Sequence, residues 1–274
     1  MQNKTIPLFA GSASALGAQN VPIGRDRFSV QLKREIQIPP EAYNITLELR
    51  QATLWWTVLN VEAGVNDAFR FLVSGDPSSP YDITLDPGLY DVSALNAAVN
   101  NKLINEGLAS GLITITGDSA TQKIILTFSA AGQRVEWVAN SFYELCGFTL
   151  NQFVPALGFT TGPYSELATN VANFSSVSSF LVHTDLVQNG IPQGNAEHQM
   201  IADIPISVAP GSQQIYQPFN PTQININHWR GQSLNNFRVW VTDQLNKSLN
   251  FNGEDFTILI VIKYRVDEVN VSHI

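Results

Sequence analysis

Cysteine is nearly absent from this chain. Cys146 stands alone, which excludes an intramolecular disulfide framework, and with only four scattered histidines it also excludes a cysteine-rich zinc site. Charge is scarce too, at 14% of residues against about 25% in an ordinary soluble domain. The 15 basic residues are outnumbered by 23 acidic ones, and a net charge of −8 argues against wrapping nucleic acid directly. Basic residues come singly or in small groups such as Lys33-Arg34, so no phosphate-binding stripe is present. No apolar run approaches the roughly 18 residues of a membrane helix, and the first twenty residues lack a basic segment followed by an apolar core. Neither a membrane span nor a secretory signal is expected. What is plentiful instead is uncharged: 44% of residues are hydrophobic, and Asn, Gln, Ser and Thr take the place of ions. That balance suits surfaces covered by other protein.

Period-two alternation of apolar and polar residues dominates both ends of the chain. It runs through Phe28 to Leu32 and Ile45 to Leu54, and Pro39-Pro40 between them removes two backbone donors, so these read as successive strands. Strands recur at Ser178 to Leu186, Met200 to Val208, Gln213 to Tyr216, Gln223 to Ile226, Asn236 to Thr242 and Phe256 to Arg265, separated by turns such as Pro210-Gly211 and Asn252-Gly253. The middle differs. After strands at Phe69 to Val73 and Tyr81 to Leu85, the residues Val92, Leu95, Val99 and Leu103 recur at helical spacing, with Ser93 or Asp91 as N-cap. LITIT and KIILTF flank Gly117-Asp118-Ser119 as a hairpin, and Asn140 to Leu145 reads as a short helix ended by Gly147. The expected fold is mainly β: a single jelly-roll β-sandwich built from residues 1–62 and 165–274, carrying an inserted small α+β domain at 63–164.

Catalytic patterns are missing. No GxSxG, HExxH, P-loop or dinucleotide fingerprint occurs, and no nucleophile, base and orienting group fall into a recognisable set. His183 and Asp185 share one face of a strand in FLVHTDL, but two ligands do not make a metal site, and a hydrogen-bonded structural pair is the stronger reading. Asp82, Asp86 and Asp91 cluster around a turn and a helix start, where turn and cap duties account for them. Cys146 in ELCGF reads as a buried small hydrophobe. No enzyme activity, cofactor or metal is expected. The five tryptophans, Trp55, Trp56, Trp137, Trp229 and Trp240, read as packing residues before they read as a carbohydrate platform.

The order of phrases DPGLYDVSALNAAVNNKL, GDSATQKIILTF, NSFYELCGF, SSFLVHTDLV, IPISVAPGSQQIYQPFNP and FRVWVTDQLNKSLNFNGEDFTILIVI resembles the penton (minor capsid, vertex) proteins of Polinton/Maverick elements and virophages. The resemblance spans about Pro80 to Tyr264, roughly two thirds of the chain. It implies a structural protein of the virion: a homopentamer at the fivefold vertices of an icosahedral capsid, assembled inside the host cell and surrounded by trimers of a double-jelly-roll major capsid protein. It also implies an outward-projecting inserted domain that would meet a host receptor or fibre. On this resemblance the residues expected at the subunit interface are His183, Asp185, Tyr216, Phe219, Trp240 and Asp243. The rival readings are a vertex spike or receptor- or glycan-binding module, and a single-jelly-roll major capsid protein. The polar stretch Gly11 to Asn20 is expected to gain order from a partner.

Overall fold

The computed structural model describes residues 2–11, 19–22, 27–175, 177–191 and 199–267. Along the chain the elements are β1 (Gln2–Gly11), β2 (Gln19–Pro22), β3 (Arg27–Gln37), β4 (Tyr43–Trp55), β5 (Ala68–Val73), β6 (Tyr81–Thr84), α1 (Val92–Asn105), β7 (Ile113–Asp118), β8 (Lys123–Phe128) and β9 (Gln133–Glu136). There follow α2 (Tyr143–Cys146), β10 (Phe153–Val154), β11 (Tyr164–Leu167), β12 (Ser179–Thr184), β13 (Met200–Pro205), β14 (Gln213–Tyr216), β15 (Ile224–Asn225), β16 (Ser233–Thr242) and β17 (Thr257–Val266). They fall into two compact units: Met1–Val58 with Val177–Ile274, and Leu59–Ser176.

The first unit is a sandwich of two five-stranded antiparallel sheets. One runs β1-β17-β4-β14, with β15 also on β4, and the other runs β13-β12-β16-β3-β2. Leaving aside β2 and treating β14 and β15 as one interrupted strand, first pairs with last (β1 and β17), second with seventh (β3 and β16), third with sixth (β4 and β14/β15) and fourth with fifth (β12 and β13). An eight-stranded hairpin rolled into two sheets in this way is a jelly roll. Alternation in the sequence builds its core: Phe28 and Val30 of β3, Ile45, Leu47 and Leu49 of β4, and Ile258, Ile260 and Ile262 of β17 all point inward. A bulge at Arg50 shifts the parity of β4, so Ala52 and Leu54 also reach the core.

The second unit is α+β. Its sheets run β10-β9-β5-β6 and β11-β8-β7. Asp91 is the N-cap of α1, accepting from the Ala94 amide at 2.7 Å, and the helix buries Leu95, Val99 and Leu103. Trp137 sits at the centre of an aromatic cluster, with ring centroids 5.0 Å from Phe148, 5.5 Å from Phe142 and 5.8 Å from Phe69. Near the unit's two chain ends, the Asn60 amide donates to the carbonyls of Tyr90 (2.8 Å) and Phe174 (3.1 Å) and accepts from the Tyr90 amide.

Some expectations shift. The unit reaches beyond 63–164 because Val61 bridges Gly88, Asn60 holds Phe174, and β11 pairs with β8. The short helix covers Tyr143–Cys146 rather than Asn140 to Leu145, since Asn140 takes a positive φ of 66° that no helix accommodates. Gly147 ends it at φ 77° as expected. The strand expected at Gln223 to Ile226 shrinks to β15, and within the stretch Gly11 to Asn20 residues 12–18 lie outside the described residues. Among the described residues no helix is long and apolar enough to cross a membrane.

Candidate functional site

Four of the six residues expected at an interface gather where β12 and β16 run side by side in the sandwich. Register places His183 directly opposite Trp240, and the two rings stack at 5.4 Å with planes 4° apart. His183 Nε2 lies 2.9 Å from Thr242 Oγ1. Because the Thr242 hydroxyl donates to the Asp243 carbonyl at 3.2 Å, the assigned network makes Nε2 the donor to Thr242. The ring is only 3% exposed, so its neighbours are those of its own chain.

Asp185 stands two residues on and turns to a different partner. Its Oδ1 accepts from the Arg238 amide at 2.7 Å and its Oδ2 from Arg238 Nε at 3.0 Å. The fork extends the β12–β16 ladder one step past the Thr184–Val239 pair. His183 and Asp185 therefore form no base–carboxylate pair. Asp243, buried at the end of β16, accepts from the amides of Leu245 and Lys247, both at 2.8 Å, and fixes a tight turn whose tip, Leu245, is exposed.

Tyr216 and Phe219 belong to the other sheet. Tyr216 ends β14 and packs half-buried on the sandwich core, and burial, with the Asp203 charge second, raises its hydroxyl pKa. Beyond it the chain leaves β4 and returns at β15, so residues 217–223 form a loop closed at both ends by pairing to one strand. Phe219, between Pro218 and Pro221, is 95% exposed on this loop. Ile215 on β14 is 58% exposed. Leaving a full aromatic ring in water forgoes about 2 kcal/mol of burial, and a loop held at both ends presents it at little entropic cost to a partner.

One feature of the outer face of this sheet is not legible as a motif. Glu48, 1% exposed, accepts from Lys263 Nζ at 2.7 Å and Gln223 Nε2 at 2.9 Å, while Arg50 Nε approaches its other oxygen at 3.0 Å. The Arg50 contact is close in distance but off the direction of a hydrogen bond, which leaves Oε2 without one. The only signal in the sequence is the charged alternation of LELR.

The other residues singled out for possible chemistry have structural surroundings. Burial pushes the Cys146 thiol far above its ordinary pKa, so it stays protonated and inert as a nucleophile. Asp82 pairs with Arg70 at 2.6 Å, Asp86 with Lys102 at 3.1 Å, and Asp91 caps α1. Among the described residues no three His, Cys, Asp or Glu side chains gather as a metal site. Trp137 is fully buried and Trp55, Trp56, Trp229 and Trp240 are half-buried, Trp229 donating from Nε1 to the Leu186 carbonyl at 2.9 Å. His198 and His273 lie outside the described residues.

No family model matches the chain, and no curated protein matches it by sequence. Among solved structures, the chain is similar to the crystal structure of the mavirus penton protein, with 9% identity and a TM-score of 0.48 over 96% of this chain and 100% of that one. It is also similar to a chain of the Sputnik virophage particle seen by cryo-electron microscopy, with 14% identity and a TM-score of 0.40 over 93% and 97% of the two chains.

Proposed function

We propose that this protein is a penton: a structural, non-enzymatic capsid component that forms a homopentamer at the fivefold vertices of an icosahedral virion, among trimers of a double-jelly-roll major capsid protein. The observation that carries the reading is the pairing of first strand with last, second with seventh, third with sixth and fourth with fifth, in a chain whose phrases from Pro80 to Tyr264 resemble that family. A single jelly roll presents two sheet faces and two ends of loops, which is a shape that packs around an axis. Scarcity of charge fits the same role, because surfaces covered by neighbours must shed their water, and desolvating amides and hydroxyls costs far less than desolvating ions.

Within that reading the six expected residues divide by what they can touch. Phe219 is the direct contact, with Tyr216 and Trp240 beside solvent at half burial. His183, Asp185 and Asp243 act from within, fixing the end of the β12–β16 ladder and the Leu245 turn that a neighbour would meet. The unit Leu59–Ser176 is the inserted domain, and it takes the role of contact with a host receptor or fibre.

Native mass spectrometry of the purified chain, at low micromolar concentration and again at high concentration with divalent salt, tests the proposal. Five chains of 30.1 kDa give about 150 kDa. A stable trimer near 90 kDa would replace the penton with a spike or receptor-binding module, and closed particles of this chain alone would make it a major capsid protein.

A further inference from the structure

On the outer face of the sheet β1-β17-β4, register lines up polar side chains across four strands. Thr5 is opposite Lys263, Lys263 opposite Thr46, and Thr46 opposite Asn225. The next row toward the end of β17 brings Asn3 beside Arg265. These residues, with Asn44 and Gln223, line a cleft of about 440 Å3 whose floor crosses Lys4 and Tyr264; those two share the inward parity of Ile6 and Ile262, so the charged side chains on the cleft's own face are Lys263 and Arg265, both cations. Lys263 leans on Glu48, and Arg50 shares that carboxylate. Asp267 accepts from Tyr43 Oη nearby. Among the described residues of this face Arg50, Lys263 and Arg265 stand against Glu48 and Asp267, while the chain as a whole carries −8. Arg265 has no salt bridge among the described residues.

The opposite end of β17 carries the complementary charge. Phe251 and Phe256 are buried, with ring centroids 5.4 Å apart, and they anchor a turn whose four tip residues, Asn252, Gly253, Glu254 and Asp255, are all exposed. Asn252 and Gly253 take positive φ values of 54° and 82°, which turn the chain sharply and project the tip. Neither carboxylate has a salt bridge or a side-chain hydrogen bond to another described residue. From Asp255 to Lys263 and Arg265 the chain runs eight to ten residues, mostly along β17, so tip and cleft stand roughly 30 Å apart and cannot meet within one molecule.

We infer that the cleft lined by Lys263 and Arg265 receives the Glu254-Asp255 turn of a second copy of this chain. Such a contact joins two different patches, and repeated around a rotation axis it closes a ring. The inference rests on the oligomeric reading above and names the surfaces that make it. Amide and hydroxyl groups of Asn3, Asn44, Thr46 and Asn225 supply the hydrogen bonds that a carboxylate needs once water leaves.

A charge swap tests it in the full-length chain, read by sedimentation velocity across a concentration series. Lys263 is left in place because it holds Glu48. The variant Arg265→Glu, and separately Glu254→Lys/Asp255→Lys, should each raise the dissociation midpoint of the assembly by about tenfold or more, the loss of ~1.4 kcal/mol per contact. The chain carrying all three changes should return to within about threefold of wild type, because the pair is restored with its signs exchanged. Assembly of both variants like wild type, or a combined chain no better than the worse of the two, overturns the contact while leaving the penton reading standing. A wild-type chain that stays monomeric at every concentration overturns both. Matching circular dichroism spectra show that each variant is folded.

Discussion

The two units of this chain solve the problem of a core in opposite ways. The sandwich is closed by its most distant segments: β1 pairs with β17 over its full length, from Gln2 opposite Val266 to Gly11 opposite Thr257. Its core is chiefly Ile, Leu and Val from strands of up to 13 residues. The α+β unit is closed locally, by the β7–β8 and β5–β6 antiparallel pairs and a helix, around the fully buried Trp137. Loop-closure entropy makes the first construction slow to form and the second quick, so the α+β unit is expected to fold first. A core that depends on both chain ends is also a core that has both flanks fixed for a neighbour, whereas a locally closed unit can vary without disturbing them.

The comparison breaks most visibly at Trp137. Its replacement by Ala should cost about 3–5 kcal/mol and lower the melting transition of the α+β unit alone, leaving the sandwich transition and the assembly mass in place. A single merged transition that falls as a whole would show the two cores to be one cooperative system. Next in size is Gly147→Ala, where a Cβ at φ 77° would come within 2.3 Å of the Asn170 carbonyl oxygen. Positive φ alone costs about 1–2 kcal/mol, and the backbone clash adds to it, so about 2 kcal/mol or more is expected, again confined to the second unit by urea unfolding.

On the sandwich side, Glu48→Gln leaves Lys263 and Arg50 without their shared carboxylate. Both cations are about a third exposed and can recover water, so the expected loss is about 1–3 kcal/mol rather than that of a fully buried pair. Chemical denaturation followed through the half-buried tryptophans of the sandwich would read it. An unchanged midpoint would mean that the triad contributes nothing net.

The smallest effects are those of pH, and they separate the units by range: both lose stability as pH falls, but in different windows. Burial lowers the His228 pKa from its usual 6.5, so the unfolded chain takes up a proton before the folded one, and the sandwich loses stability as pH falls from about 6.5. In the second unit the Tyr81 hydroxyl holds the Asp76 carboxyl below its usual 3.8, and the Thr121 hydroxyl does the same for Asp118. Their contribution is present above about pH 4 and disappears as pH falls through the folded values. His228→Gln should flatten the sandwich slope between about pH 7 and 5, measured by thermal melts. A slope that persists would assign it to another group.

Much of the fold was legible because its signals are local. Alternation gave the strands at Ile45 to Leu54 and Asn236 to Thr242, helical spacing gave α1, and Gly147 marked the end of a helix. The strand β1 was hidden, since Gln2 to Thr5 are all polar and Pro7 interrupts the ladder pattern, and its pairing partner lies at the far end of the chain. The two residues of β10 are too few to show a period. At the candidate site the residue types were readable but their partners were not. Asp185 binds Arg238 rather than His183 because register sets the pair across 53 positions, and the Glu48 triad joins residues up to 215 positions apart.

The account stands or falls on a closed ring of five chains. Electron-microscopy class averages of the purified assembly read this directly: rings with fivefold rotational symmetry are the predicted result. Threefold classes, open chains without a closed rotation, or single particles at every concentration would contradict it.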